Sequence, residues 1–152
     1  MSERKIQVVR DLIDQFFNAH DPAAADRFLT EDFRWTGGSV GATEGRAAYQ
    51  EVMPHFWAGL PDAFATEEDI FAAGDTVVAR FTVTGTHEGP LWGIAPSGRS
   101  VSWQALMIYR FRGDKIARQW AAEDWAALLG QVGYATLPWD RPAADVSSAP
   151  PH

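Results

Sequence analysis

Near the start of the chain the apolar positions recur at helical spacing: Ile6, Val9, Ile13, Phe16 and Phe17, with Leu12 widening the stripe. Steps of three and four residues put these side chains on one face, which predicts an amphipathic helix. Asp21-Pro22 reads as an N-cap and a first-turn proline, opening a short helix through Phe28-Leu29. Phe33 to Thr36 reads as a short strand closed by Gly37-Gly38. Tyr49, Val52, Met53, Phe56 and Trp57 form a second helical stripe, and Pro54 inside it predicts a kink or an end near Met53.

From Phe64 the period changes to two. Strands are expected over 65–72 and 77–86, with Gly74-Asp75 as the turn between them. Val101, Trp103, Ala105, Met107, Tyr109 and Phe111 alternate along a long strand and share one face. Gly113-Asp114 is a hairpin turn, and a return strand follows over 116–122. Pairing Arg112 with Lys115 across that turn sets Met107 opposite Trp120, and Trp103 opposite Asp124. Trp125, Leu128, Leu129 and Val132 make a last short helix. Between the strands, 89–99 is rich in Gly and Pro and reads as a loop, and its Pro90, Trp92, Ile94 and Pro96 are expected to pack down onto something. The loop is either a cavity lid or ordinary packing. Helices followed by antiparallel strands define an α+β fold. One domain is expected over 1–137, followed by a loose Pro/Ala/Ser-rich tail over 138–152.

Composition narrows the partners. A net charge of −7 argues against nucleic acid and anionic membranes, which need basic patches. No apolar run approaches the ~18 residues that span a bilayer. The charged Glu3, Arg4 and Lys5 predict no secretory signal. The absence of cysteine removes disulfides and thiol nucleophiles and fits a cytoplasmic protein. No His, Asp or Glu set has ligand spacing, so no metal is expected, and no nucleotide or flavin motif is present, so no cofactor is expected. Seven tryptophans and nine phenylalanines fill a core or line an aromatic cavity.

The ordered series Gly85-Thr86-His87-Glu88-Gly89, then 93–99, Gly113-Asp114-Lys115-Ile116 and Trp120-Ala121-Ala122-Glu123-Asp124 resembles the SnoaL-like polyketide cyclase family. Asp32-Phe33, Leu60-Pro61-Asp62 and Gly74-Asp75 fall in the same order, and the likeness covers about residues 4–134. The resemblance implies a nuclear transport factor 2-like cone: N-terminal helices on a strongly curved, mostly antiparallel sheet that encloses a pocket. It also implies a cofactor-free enzyme of secondary metabolism, closing a ring of an aromatic polyketide ester by an intramolecular aldol-type step. A homodimer or higher oligomer through the outer sheet face is implied as well. Two positions depart from the family pattern: Arg34-Trp35-Thr36 lacks a histidine on the first strand, and Gln119 stands where many members have His. Other readings are a binding protein for a hydrophobic metabolite, or a hydroxylase, isomerase or epoxide hydrolase of the same fold.

By resemblance Asp124 is the general acid/base, with Trp103 and Trp120 as an apolar wall that would raise its pKa. Asp124 also precedes a helix, where aspartate caps and the backbone N–H groups favour the anion. His87 is either a partner acid or a loop-fixing hydrogen-bonding group. Trp35, Trp92, Trp103, Met107 and Trp120 are the candidate walls for a flat, polycyclic aromatic ligand.

Overall fold

The structure is a computed structural model that describes residues 2–140. Helix α1 (Ser2–Leu12) runs directly into a π-helical turn over Ile13–Asn18. Widening the helix there re-phases the stripe, so Leu12 and Phe16 are buried while Ile13 and Phe17 pack partly buried against the core. Asp21 accepts the Ala23 N–H at 3.1 Å and starts a short turn with Pro22 at its head. Helix α2 (Ala25–Phe28) ends where β1 (Leu29–Thr36) begins, so the strand starts at Leu29 rather than Phe33.

A three-residue strand β2 (Ala42–Glu44), too short to carry a period, pairs with the end of β1. Helix α3 (Arg46–Gly59) then continues through Pro54 without ending at Met53. A mid-helix proline costs about 3 kcal/mol through the lost hydrogen bond and the ring clash. Burial of Tyr49, Met53 and Trp57 on one face offsets that cost.

Strands β3 (Phe64–Ala73), β4 (Thr76–Thr86), β5 (Ser100–Arg112) and β6 (Lys115–Glu123) complete one six-stranded sheet in the order β2-β1-β6-β5-β4-β3. All neighbours are antiparallel except β1 and β6, which run parallel. The sheet curls round the helices. Val9, Phe16, Tyr49 and Trp57 meet Val77, Phe81, Val83, Trp103 and Tyr109 in one core. The architecture is α+β, as the alternation of periods predicts. Helix α4 (Trp125–Gln131) closes the far end.

The register of the last hairpin differs from the two-residue-turn expectation in one place. Arg112 pairs with Lys115 and Phe111 with Ile116, but Arg110 pairs with Arg118. Ala117 is therefore an extra residue, a bulge in β6. Beyond it every side chain of β6 is on the face opposite to the one a regular hairpin gives. Met107 faces Ala121, Ile108 faces Trp120 and Ala105 faces Glu123.

No helix among the described residues is long and apolar enough to cross a membrane. Of the tail expected over 138–152, only the turn Pro138–Asp140 lies within the described residues.

Candidate active site

A cavity of about 550 Å³ opens between the helices and the concave face of the sheet. That is ample for a ligand of several fused rings. Its walls are mostly apolar. Phe16 and Phe17 come from the π-turn, Val52, Met53 and Phe56 from α3, and Phe81, Val83 and Met107 from the sheet. Phe16 and Phe17, consecutive in the π-turn, both reach this wall.

The polar groups on the walls are few. They include Glu123 at the end of β6, Gln119 on the same strand, Tyr109 on β5 and Tyr49 on α3. Glu123 reaches the cavity because of the Ala117 bulge. Its Oε1 accepts the Trp103 indole N–H at 3.1 Å. Burial pushes the Glu123 carboxyl up to about 7, against the Trp103 hydrogen bond, which favours the anion. Burial also pushes the Tyr49 and Tyr109 hydroxyls up, so both are neutral phenols at neutral pH.

Five of the residues singled out from the sequence meet at or behind this cavity. Trp35, Met107 and Trp92 are in its wall. Trp103 is buried behind Glu123 and holds it, its ring against Phe56 and Trp125. Gln119, at the departing family position, points inward and donates to the Met107 sulfur at 3.4 Å. Trp92 sits at the mouth, half exposed, edge-on to Trp125 with ring centroids 5.0 Å apart. Its φ of 49° is left-handed, a strained conformation for a bulky residue that its packing has to hold.

Three expectations need correction. Asp124 does not face Trp103 across the hairpin. It is exposed, outside the cavity wall, and its Oδ1 accepts the Ala127 N–H at 3.1 Å as the N-cap of α4. Trp120 is on the outer face of the sheet, its ring beside the Arg110 and Arg118 guanidinium groups at 5.0 and 4.6 Å. The bulge causes both differences. His87 is fully buried but is not in the cavity wall. Its Nδ1 accepts the Ser97 N–H at 3.1 Å, and its backbone pairs with Arg99 and Gly98, so it ties the two ends of the loop together.

Glu123 is the acid that the sequence reading passed over. Its strand offers Gln119, Ala121 and Glu123 in one phase and Arg118, Trp120 and Ala122 in the other. Trp120 makes the second phase look like the inward one. No group of three His, Asp or Glu side chains among the described residues could hold a metal ion.

The model of SnoaL-like polyketide cyclases matches residues 7–132, most of the chain. The chain belongs to the SnoaL-like polyketide cyclase family. Among solved structures, this SnoaL-like chain resembles IdmH from Streptomyces antibioticus, described as a candidate polyketide cyclase, at 26% identity and a TM-score of 0.75, over 85% of this chain and 98% of that one. A SnoaL-like cyclase structure from Jannaschia sp. CCS1 is similar at 22% identity and a TM-score of 0.82, over 89% and 95%. AclR from Streptomyces galilaeus, described as a candidate hydroxylase, is similar at 22% and 0.83, over 98% and 95%. At 22% these two likenesses speak for the fold alone. Among curated protein sequences none matches.

Proposed function

We propose that this SnoaL-like protein is a cofactor-independent cyclase that closes a ring of a flat, aromatic polyketide by intramolecular aldol addition, with Glu123 as the proton shuttle. One observation carries the reading: a carboxyl in an apolar cavity, held by Trp103, whose pKa of about 7 suits it to take and return a proton at neutral pH. The Glu123 carboxylate takes a proton from a carbon flanked by carbonyl groups. The enolate so formed attacks a second carbonyl carbon of the same molecule, and a carbon–carbon bond forms. The new alkoxide takes the proton back from Glu123. Atoms balance and no redox change occurs, so substrate and cyclised product have the same mass.

Trp35, Trp92, Trp125 and Met107 supply walls that hold the chain folded with the reacting carbons close. The lining contains no Lys or Arg, so it suits a neutral ester or ketone better than a free acid. We also infer self-association through the outer sheet face. There Phe71, Val78, Ile108 and Trp120 are successive partners across four strands, and Phe71 and Ile108 are exposed.

The test uses a panel of neutral aromatic β-dicarbonyl esters, read for a new isomer of unchanged mass. Glu123→Gln keeps the shape and the Trp103 contact but cannot carry a proton. Turnover should fall by roughly 100-fold or more. Full turnover in that variant would overturn Glu123 as the proton shuttle, whereas wild-type protein that binds these esters and isomerises none of them would be a binding protein instead.

A further inference from the structure

Tyr49 presents a hydroxyl that the fold itself does not use. The residue is only 8% exposed and lines the cavity from α3. Its ring is fixed on three sides. The centroids of Phe33 and Phe16 lie 5.2 and 5.4 Å away, and Trp35 stacks on it at 6.3 Å with 27° between planes. None of the hydrogen bonds among the described residues involves its hydroxyl. Unlike the Tyr109 oxygen, which is sealed off without a partner, the Tyr49 oxygen keeps access to the cavity, so the group it can pair with is whatever the cavity holds.

The surroundings say which atom the hydroxyl meets. Trp35, stacked on Tyr49, pairs with Gln119, and Gln119 pairs with Tyr109, so these residues form one band across β1, β6 and β5. Glu123 is four residues further along the same face of β6, roughly 13 Å of strand. Met107 and Ala121, both on the inner face, lie between. The cavity thus has an acid at one end of a strip and a phenol donor at the other, with space for a ring system between them. The two ends feel each other, since the Glu123 charge helps hold Tyr49 in its neutral, donating form.

We propose that Tyr49 is a second catalytic residue, whose hydroxyl donates to the carbonyl oxygen of the substrate and holds the enolate oxygen as it forms. The inference rests on the cyclase reading above. As Glu123 takes the carbon proton at its end of the strip, the electron pair is delocalised through the conjugated ring system and negative charge collects on the conjugated carbonyl oxygen at the Tyr49 end. A neutral donor fixed in an apolar site is stronger toward that oxyanion than toward the parent ketone. Tyr109, whose hydroxyl is sealed off without a partner, lies close to Tyr49. The ligand class recognised is therefore a flat conjugated ketone or its enolate.

A naphthol tests this without knowledge of the substrate, because its ionised form is a planar oxyanion like an enolate. The titration is run in the Glu123→Gln protein, in which the negative charge of the carboxylate is absent. Bound naphthol is followed by absorbance against pH. Adding Tyr49→Phe should raise the apparent pKa of the bound naphthol by about one unit or more, the scale of a charge-assisted hydrogen bond. The melting temperature should stay level or rise, because no protein contact is lost. An unchanged naphthol pKa would overturn the proposal, as would a large drop in melting temperature, which would assign the hydroxyl a structural partner. Failure of naphthol to quench tryptophan fluorescence in the wild type would overturn both this inference and the cavity reading. Full turnover in Glu123→Gln beside a shifted naphthol pKa would sink the acid/base step and leave Tyr49 as an oxyanion donor.

Discussion

Glu123 and Asp124 are adjacent carboxylates with opposite surroundings, and their variants should behave in opposite ways. The Glu123 pKa is raised in the folded state, so the folded state binds its proton more readily than the unfolded chain. The stability of the fold is then highest below the unfolded value and falls as pH rises from about 4.5 to about 7. Above that range the ionised carboxylate costs on the order of 3 kcal/mol. Glu123→Gln should therefore melt higher than the wild type at pH 8 and at the same temperature at pH 4, which calorimetry at the two pH values checks. In the wild type, kcat/KM should rise with pH around a midpoint near 7, and the Gln variant should lack that limb. Asp124→Ala should do the reverse. Loss of the cap at α4 costs about 1 kcal/mol, while turnover stays close to wild type. A collapse of turnover in Asp124→Ala with the fold intact would return the proton shuttle to Asp124.

At the scale of elements, the loop over 88–99 is held at its base by α3. The Glu88 and Gly89 N–H groups both donate to the Gly59 carbonyl, at 3.2 and 3.3 Å. A Cβ on Gly89 would press into the Ala58 carbonyl, so this contact requires glycine. Gly89→Ala should cost about 1–3 kcal/mol by overpacking and should move Leu91 and Trp92 from the cavity wall. Limited proteolysis would show faster cleavage in the loop, and flat ligands would bind more weakly; unchanged cleavage would mean that the base is not what holds the loop.

Much of this level is legible in sequence. The period-three and period-two stretches mark the helices and the four long strands, and Gly113-Asp114 marks the turn. Three features are not. A strand as short as β2 has no period to read. Pro54 signals an end, but the packing of Tyr49, Met53 and Trp57 outweighs it. The bulge at Ala117 leaves no mark, because neither Gly nor Pro accompanies it and the residue itself is unremarkable. Local sequence therefore places an acid at the end of β6 but cannot say which of two neighbours faces inward.

For the whole molecule, the cavity couples ligand to fold. The structure places Trp35, Trp92 and Trp125 in the cavity wall and Trp103 behind it. A flat aromatic ketone should quench tryptophan fluorescence saturably. At 100 times its Kd it should also raise stability by about 2.7 kcal/mol, seen as a higher melting temperature. The outer face is independent of this. Ile108→Glu places charge in the Phe71–Val78–Ile108–Trp120 row, and sedimentation should show a lighter species with ligand affinity unchanged. An unaltered sedimentation coefficient would exclude that face as the contact. The bulge, finally, has a consequence for how such proteins diversify. A sheet alternates with every residue, so gain or loss of a single codon between the Gly113-Asp114 turn and Arg118 would exchange the whole inward set of β6 at once. Gln119, Ala121 and Glu123 would leave the wall, and Arg118, Trp120 and Ala122 would enter it. A lineage could thus trade an acidic wall for a cationic, aromatic one without a single substitution in the residues that line it.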